Sequence, residues 1–181
     1  MPRLIHLNGR SRVGKTTLAR RYVDEHPGTL ALDLDVLAGL IGGWRENISA
    51  ALGIARAHGL ALATRHLREG YDVVLPQLVT SHDQGPRFEE AAREADATYI
   101  EVALLADDDE CLQRLHGKQP TNEIEALIQT KLEHPASDLG DRIRQHLNEY
   151  LAERPHTIRL DTTGLSEDAS YDRLLGALSA T

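Results

Sequence analysis

The stretch Gly9-Arg10-Ser11-Arg12-Val13-Gly14-Lys15-Thr16 decides which fold this chain can adopt. It has the spacing G-x-x-x-x-G-K-T, which is the signature of a loop that cradles phosphate groups. Residues 3–8, directly before it, are typical of a short strand, and residues 15–26 are typical of a helix. Because a phosphate loop lies between a strand and a helix, this context separates the motif from a chance match.

Each fixed residue of the motif has a physical task. Gly9 and Gly14 allow the backbone to turn sharply and to come close to a polyphosphate. The successive N–H groups then face one concavity at the positive N-terminal end of the next helix. Lys15 adds a mobile charge for the β- and γ-phosphates, and the Thr16 hydroxyl is left to bind Mg²⁺. The residues expected to bind the nucleotide here are Gly9, Arg10, Ser11, Arg12, Val13, Gly14, Lys15, Thr16 and Thr17.

Size, composition and charge restrict the class of protein. With 181 residues, 41% of them hydrophobic and 27% charged, the chain is predicted to form one globular domain, residues 1–181. Its net charge of −8 and its scattered arginines argue against nucleic acid as a partner. No apolar run is long enough to span a membrane, and the first strand begins too early for a signal peptide. We therefore expect a cytoplasmic protein, and a homodimer is left open.

Cys111 is the single cysteine of the chain, which excludes an internal disulfide bond. A lone thiol agrees with the expected cytoplasmic location. Because the sequence shows no activating partner for it, we expect Cys111 to pack within a helix rather than to act as a nucleophile.

The hydrophobic pattern alternates between strands and helices along the whole chain. Strands are predicted at 3–8, 29–34, 71–75, 98–105 and 156–160. Helices are predicted at 15–26, 36–41, 47–69 (ended by Gly70), 87–95, 107–116, 138–153 (capped by Ser137) and 167–179 (capped by Ser166), with a short helix between Pro120 and Pro135. This alternation predicts an α/β fold whose parallel sheet is covered by helices on both faces. Ligands of such sheets bind at the rim formed by the carboxyl ends of the strands.

Asp33-Leu34-Asp35 follows the second predicted strand, at that rim. Strand alternation would place both carboxylates on the same side, opposite Leu34. Two carboxylates that face a phosphate site repel each other unless a cation or a hydroxyl lies between them. In phosphoryl transfer, such carboxylates hold Mg²⁺ through water and accept the proton of the attacking hydroxyl. The alternative is a structural role, in which Asp35 caps a helical segment that begins at Val36.

The phosphate loop, the Asp-x-Asp after strand two and the alternating pattern together resemble the small-molecule P-loop kinases. Shikimate kinase, gluconate kinase, adenylylsulfate kinase, chloramphenicol phosphotransferase and the zeta toxins are relatives of this kind. The resemblance implies a five-stranded parallel sheet in the order 2-3-1-4-5, with a lid. It also implies ATP and Mg²⁺ as cofactors, Asp33 as the carboxylate on the metal side together with Thr16, and Asp35 as the base.

The same resemblance gives roles to two further segments. Arg114 and Lys118 have the four-residue spacing of the family's lid cations, which implies a lid at about 117–137 whose cations reach the phosphates. Lys118 stands where the family usually has Arg, so a point charge replaces a planar fork, and the alternative is an ordinary solvated helix face. The segment 160–164, with Thr162, resembles the loop that wraps the adenine, and the alternative is an ordinary strand–helix turn.

Four residues elsewhere are candidates for contact with the acceptor substrate. Gln77 and His82 follow strand three at the rim, and Trp44 and Arg45 interrupt the pattern after strand two. Trp44 could stack on a ring of the acceptor or fill the core, and the other three could be ordinary loop or surface residues. Strand three itself carries no acidic residue, which argues against a motor-type ATPase.

These features together predict an ATP-dependent kinase that phosphorylates a hydroxyl group of a small molecule, a metabolite or an antibiotic. Lys15, Asp35 and Arg114 are the expected catalytic residues. The sequence Asn-Lys-x-Asp, which reads guanine, does not occur, so ATP is the expected donor. Two alternatives stay open, which are a toxin-like kinase of a nucleotide sugar and a regulatory protein that binds ATP without turnover.

Overall fold

Five parallel strands form the centre of the fold, in the computed structural model that describes residues 1–117, 119–134 and 136–181. They are β1 (Arg3–Asn8), β2 (Leu30–Ala31), β3 (Val73–Leu75), β4 (Thr98–Leu105) and β5 (Ile158–Asp161). Their order across the sheet is β2-β3-β1-β4-β5, and every neighbouring pair is parallel. The predicted strand order is therefore confirmed, with β1 in the middle and the phosphate loop directly after it.

Helices cover both faces of this sheet, as predicted. They are α1 (Lys15–Glu25), α2 (Leu34–Gly39), α3 (Ile48–Arg68), α4 (Gln84–Glu94), α5 (Asp108–Gly117), α6 (Glu123–Glu133), α7 (Leu139–Ala152) and α8 (Glu167–Ser179). Leu4 packs into a core with α3, α4 and α7, whereas its neighbour Ile5 packs into a second core with α1 and α8. The period-two pattern of β1 thus feeds two separate cores.

The second strand is shorter than predicted, and this changes the geometry of the two aspartates. The prediction of a strand over 29–34 is wrong, because only Leu30 and Ala31 pair with β3 and helix α2 begins at Leu34. The Asp33 side chain accepts hydrogen bonds from the N–H groups of Asp35 and Val36, so Asp33 is the N-cap. The capping role considered for Asp35 belongs to Asp33. The expectation that strand alternation directs both carboxylates to one side is wrong, because Asp35 lies in the first turn of α2 and not in a strand.

The other boundaries differ by a few residues. Helix α4 begins at Gln84 instead of 87, with Pro86 in its first turn, where the missing N–H costs nothing. Helix α7 begins at Leu139, whose N–H donates to Ser137 Oγ, so the predicted cap contacts the helix from one position farther out. Gly70, with φ +91°, follows the end of α3 as expected. No helix within the described ranges is long and apolar enough to cross a membrane.

Two glycines of α3 offer a matched test of its packing on α2. A Cβ at Gly59 would lie 2.4 Å from Leu34 Cδ2, whereas one at Gly53 would meet no heavy atom within 4 Å. We expect Gly53→Ala to raise the free energy of unfolding by about 0.5–1 kcal/mol through helix propensity. We expect Gly59→Ala to lower it by about 1 kcal/mol, because overpacking outweighs that gain. Urea unfolding measures both variants, and equal stabilisation would contradict the close contact.

Candidate active site

Three residues of the phosphate loop have positive φ angles, a conformation that glycine adopts more easily than other residues. Gly9 and Gly14 have φ angles of +141° and +102°, and Arg12 has φ 68°. A Cβ at Gly9 would lie 2.5 Å from the carbonyl oxygen of Leu104 on β4, so no larger residue fits there. Residues 11–18 line one side of a cavity of about 780 Å³ at the carboxyl rim of the sheet. A loop of this shape at a helix N-terminus fits a polyphosphate.

The side chain of Asn8, the last residue of β1, ties this loop to Val79, which lies between the cavity-lining residues Leu78 and Thr80. Its Oδ1 accepts from the N–H groups of Gly9 (2.8 Å) and Val79 (2.9 Å). Its Nδ2 donates to the carbonyl of Val79 (3.0 Å) and to Glu101 Oε1 (2.9 Å). The sequence reasoning missed Asn8, although a polar residue that ends an apolar strand directly before the loop is a usable signal.

A buried histidine extends this polar network to a predicted site residue. His6 Nε2 donates to the carbonyl of Gln77 (2.8 Å), and Nδ1 accepts from the Tyr99 hydroxyl (2.8 Å). Burial lowers the pKa of His6, so the ring is neutral and both nitrogens are used. Glu101, on the neighbouring strand, accepts at Oε2 from Thr157 (2.8 Å). The backbone of Gln77 and Val79, beside the cavity-lining residues Leu78 and Thr80, is therefore held by buried side chains of β1.

Lys15 lies inside the loop, with its ammonium group against the backbone. Nζ donates to the carbonyls of Gly9 (2.8 Å) and Arg10 (2.7 Å). Burial lowers the pKa of Lys15 to about 8, against the opposing influence of Asp35 and Asp33. The amine is thus still cationic at neutral pH, and the two carboxylates across the cavity are what keep it so.

Asp33 and Asp35 both line the cavity opposite the loop. Burial raises the pKa of Asp35 to about 6, with a further contribution from the charge of Asp33 and an opposing one from Lys15. Asp33 Oδ1 caps α2, and Oδ2 makes no hydrogen bond with the residues that the structure describes. One carboxylate oxygen and the Thr16 hydroxyl, both at the cavity, suit Mg²⁺, which needs few protein ligands beside phosphates and water.

Two residues that were predicted separately, Arg114 in the cavity wall and Thr162 in the loop after β5, lie in contact. Arg114 donates to the carbonyl of Thr162 (3.1 Å) and to Glu110 Oε1 (3.0 Å). These bonds anchor Arg114 to the loop after β5, which the sequence analysis expects to contact the adenine of the nucleotide. Lys118, the second predicted lid cation, lies outside the described residues.

Two arginines of the phosphate loop leave it in different directions. Arg10 donates to the carbonyl of Ala106 (2.7 Å) and pairs with Asp108, and it is not part of the cavity wall. Arg12 lines the cavity, pairs with Glu125 (3.1 Å) and donates to Gln129 Oε1 (2.6 Å), both on α6. The contact between α6 and the loop was not predicted, since it joins residues more than a hundred positions apart.

Of the four residues predicted to contact an acceptor, the cavity wall includes Gln77. Trp44 is instead buried in a third core with Ala38 and Ile124. Arg45 covers the Trp44 ring at 4.5 Å and pairs with Glu123. His82 is exposed and pairs with Glu153 at 3.1 Å. Trp44, Arg45 and His82 are therefore not among the residues that surround the cavity.

A family model described as an AAA domain matches residues 4–134, which is more than half of the chain. The chain belongs to this AAA domain family. A search of the curated proteins finds no match.

Solved structures similar to this AAA domain include several kinases. Thymidylate kinase from Candida albicans matches with a TM-score of 0.64 and 12% identity, over 99% of this chain and 92% of that one. A tunicamycin resistance protein from Deinococcus radiodurans matches with 0.62 and 17%, over 98% and 95%. A gluconokinase from Sinorhizobium meliloti 1021 matches with 0.54 and 18%, over 98% and 96%. At this identity the likeness confirms the predicted P-loop kinase fold.

The charge balance at Lys15 can be tested by titration. Asp35→Asn should lower the pKa of Lys15 below about 8, because it removes the carboxylate that opposes the effect of burial most strongly. The titration is followed by NMR of ¹³C-methylated lysines, with Lys15→Arg to assign the signal. Asp24→Asn removes an equal charge from the exposed face of α1, the helix that begins at Lys15, and should leave the titration unchanged. An unchanged midpoint in Asp35→Asn would disprove the electrostatic coupling.

The bridge made by Asn8 can be tested with an isosteric change. Asn8→Asp keeps the shape but removes the donor to Val79 and places a carboxylate against Glu101. Unpaired buried groups cost about 1–3 kcal/mol each, so we expect a loss of about 3 kcal/mol in unfolding free energy, measured in urea. Asn148→Asp on the exposed surface of α7 is the control, with an expected change within about 0.5 kcal/mol. A similar result for both variants would refute the bridge.

Proposed function

We propose that this protein is an ATP-dependent kinase that transfers the γ-phosphoryl group to a hydroxyl of a small molecule, a metabolite or an antibiotic. The observation that carries the proposal is the half-buried carboxyl of Asp35, in the same cavity as the phosphate loop and electrostatically coupled to Lys15. Nucleotide binding alone does not explain a carboxylate in that position, because a carboxylate repels phosphates. It suits a base that receives the proton of an attacking hydroxyl.

On the donor side, the loop amides and Lys15 would neutralise and align the phosphates. Lys15 must leave the carbonyls of Gly9 and Arg10 to reach a phosphate, and it exchanges two neutral acceptors for an anion. Thr16 and Asp33 would hold Mg²⁺. When bound, the ion neutralises negative charge on the phosphates.

On the acceptor side, Asp35 would orient the hydroxyl for in-line attack. Its pKa of about 6 makes it a carboxylate at neutral pH, yet basic enough to take a proton. As the hydroxyl oxygen bonds to the γ-phosphorus, the bond from that phosphorus to the bridging oxygen breaks, and ADP leaves. Asp35 receives the hydroxyl proton late in this step, so atoms and charge balance.

The nucleoside end of the cavity would be formed by Arg114 and the loop with Thr162, which lie in contact. We place the lid of a single domain, residues 1–181, at about 117–137, with Lys118 as its second cation. The contact of Arg12 with α6 supports this placement, because it connects the segment to the phosphate loop. Gln77 stays in the proposal as an acceptor contact. Trp44, Arg45 and His82 do not, since they lie away from the cavity wall.

The decisive experiment is phosphoryl transfer from ATP to a library of hydroxylated metabolites and antibiotics, read as the mass of one added phosphoryl group. A kinase should release ADP only with an acceptor, whereas a regulatory protein should bind ATP without turnover. Lys15→Met should abolish transfer, and Arg20→Met, at an exposed position of α1 outside the cavity wall, is the control for loss of a cation. ATP binding with no transfer to any acceptor would reject the kinase and favour the regulator.

Asp35 gives the proposal a specific kinetic signature. Asp35→Asn should lower kcat by about 10²–10⁴-fold with ATP affinity nearly unchanged, because only the base is lost. In the native protein, kcat/KM should fall below pH about 6, where Asp35 becomes protonated, and above pH about 8, where Lys15 becomes neutral. The acidic limb should disappear in Asp35→Asn. An acidic limb that persists in this variant would show that Asp35 is not the base.

A further inference from the structure

Arg56 of α3 lies in the wall of the same cavity and has no hydrogen-bond or ion-pair partner among the residues that the structure describes. Its Nε–H is shielded from solvent and makes no hydrogen bond within the described residues. Ile48, Leu52 and Arg56 follow one another at a spacing of four and line the cavity together. Arg56 is therefore the polar end of an otherwise apolar stripe, on the wall that faces the acceptor side.

The unpaired state of Arg56 is unusual in this molecule. Nearly all other arginines in the described part of the chain form a hydrogen bond or an ion pair with a neighbouring residue. The exception is Arg20, which is exposed on α1 and needs no protein partner. A half-buried guanidinium with a shielded donor loses hydration and gains nothing in return, unless something else pairs with it.

The nearby carboxylates do not supply that partner. Arg56 influences the pKa of Asp35, but less than burial, Asp33, Lys15 and Glu125 do. Asp83 is also within electrostatic range, but its carboxylate accepts from Ser81 and pairs with Arg87 in solvent. Neither aspartate lies within ion-pair distance of Arg56, so the donors of its guanidinium are left for a ligand in the cavity.

We propose that Arg56 binds an anionic group, a carboxylate or a phosphate, carried by the acceptor substrate itself. This rests on the proposed function, and it narrows the acceptor to a hydroxyl compound with a negative charge. A guanidinium offers a planar fork of donors that matches either anion with two parallel hydrogen bonds. Leu52 and Ile48, farther along the same face, would contact the carbon skeleton of the acceptor.

The division of charge within the cavity agrees with this assignment. The phosphate loop and Lys15 attract the donor's phosphates, while Asp33 and Asp35 repel any anion that approaches between them. Arg56 belongs to α3, whereas Lys15 begins α1 and Asp35 lies on α2, so three different elements bring these charges to the cavity. Arg56 can hold the anionic end of an acceptor away from the base, and so leave the hydroxyl end at Asp35.

The test uses pairs of probes in which one member carries the anionic group and the other does not. Each hydroxy-carboxylate is paired with its hydroxy-amide, and each phosphorylated alcohol with the unphosphorylated alcohol. Binding to the full chain is measured by calorimetry without ATP, for the native protein, Arg56→Gln, Arg56→Lys and the matched control Arg20→Gln. The two kinds of anion form separate arms, so the experiment also distinguishes a carboxylate site from a phosphate site.

We expect at least one anionic probe to bind the native protein more tightly than its neutral partner. Arg56→Gln should weaken that binding by about 10- to 100-fold, the loss expected for a charge-assisted pair. Arg56→Lys should restore part of it, and Arg20→Gln should have no effect. Affinity for ATP and for the neutral probes should not change in Arg56→Gln, which separates a contact with the anion from a structural role.

The outcomes separate this inference from the kinase proposal. If no anionic probe binds better than its neutral partner, or if Arg56→Gln leaves the preference intact, the inference is overturned. Phosphorylation of an anionic acceptor at equal rates by native protein and Arg56→Gln would overturn it while supporting the kinase. Arg56-dependent binding of an anion without any phosphoryl transfer would support the inference and reject the kinase.

Discussion

A single buried amide connects two segments of the chain that line the cavity. Asn8 uses both its acceptor and its donor groups, and its partners are the first N–H of the phosphate loop and the backbone of Val79, which lies between the lining residues Leu78 and Thr80. Its fourth bond, to Glu101, fixes the amide orientation from the neighbouring strand. Because the loop and Val79 share one side chain, neither can shift without breaking a buried hydrogen bond. These bonds therefore hold the loop against the segment that follows β3.

The ionisable groups that line the cavity influence the pKa values of Lys15 and Asp35, because they lie close together and are partly shielded from water. Burial lowers the pKa of Lys15 and raises that of Asp35, and the charge of each residue opposes that effect in the other. Asp33 acts on both, so it stabilises the ammonium and destabilises the second carboxylate. The cation and the acids of the cavity therefore set one another's pKa.

The fold was predictable from sequence because its signals are local, whereas the site depends on contacts that are not. The phosphate motif, the alternating strands and the glycine after α3 each lie within a few residues of what they determine. Asp33 and Asp35 line the cavity, but not as the end of a strand. Asp33 caps helix α2, and Asp35 lies in its first turn, where the sequence had predicted a strand up to residue 34. The bond of Asn8 to Val79 and that of Arg12 to Gln129 join distant segments, so no spacing in the sequence encodes them.

Arg12 shows how the loop and α6 constrain each other. Its backbone has φ 68°, a left-handed conformation that costs a residue with a Cβ about 1–2 kcal/mol. Such strain persists only where surrounding contacts determine the conformation, and here they are the ion pair to Glu125 and the bond to Gln129. The Arg12 side chain is 5% exposed, so this pair is little screened by water. Displacement of α6 would remove the contacts that compensate the strain, and the shape of the phosphate loop therefore depends on the position of that helix.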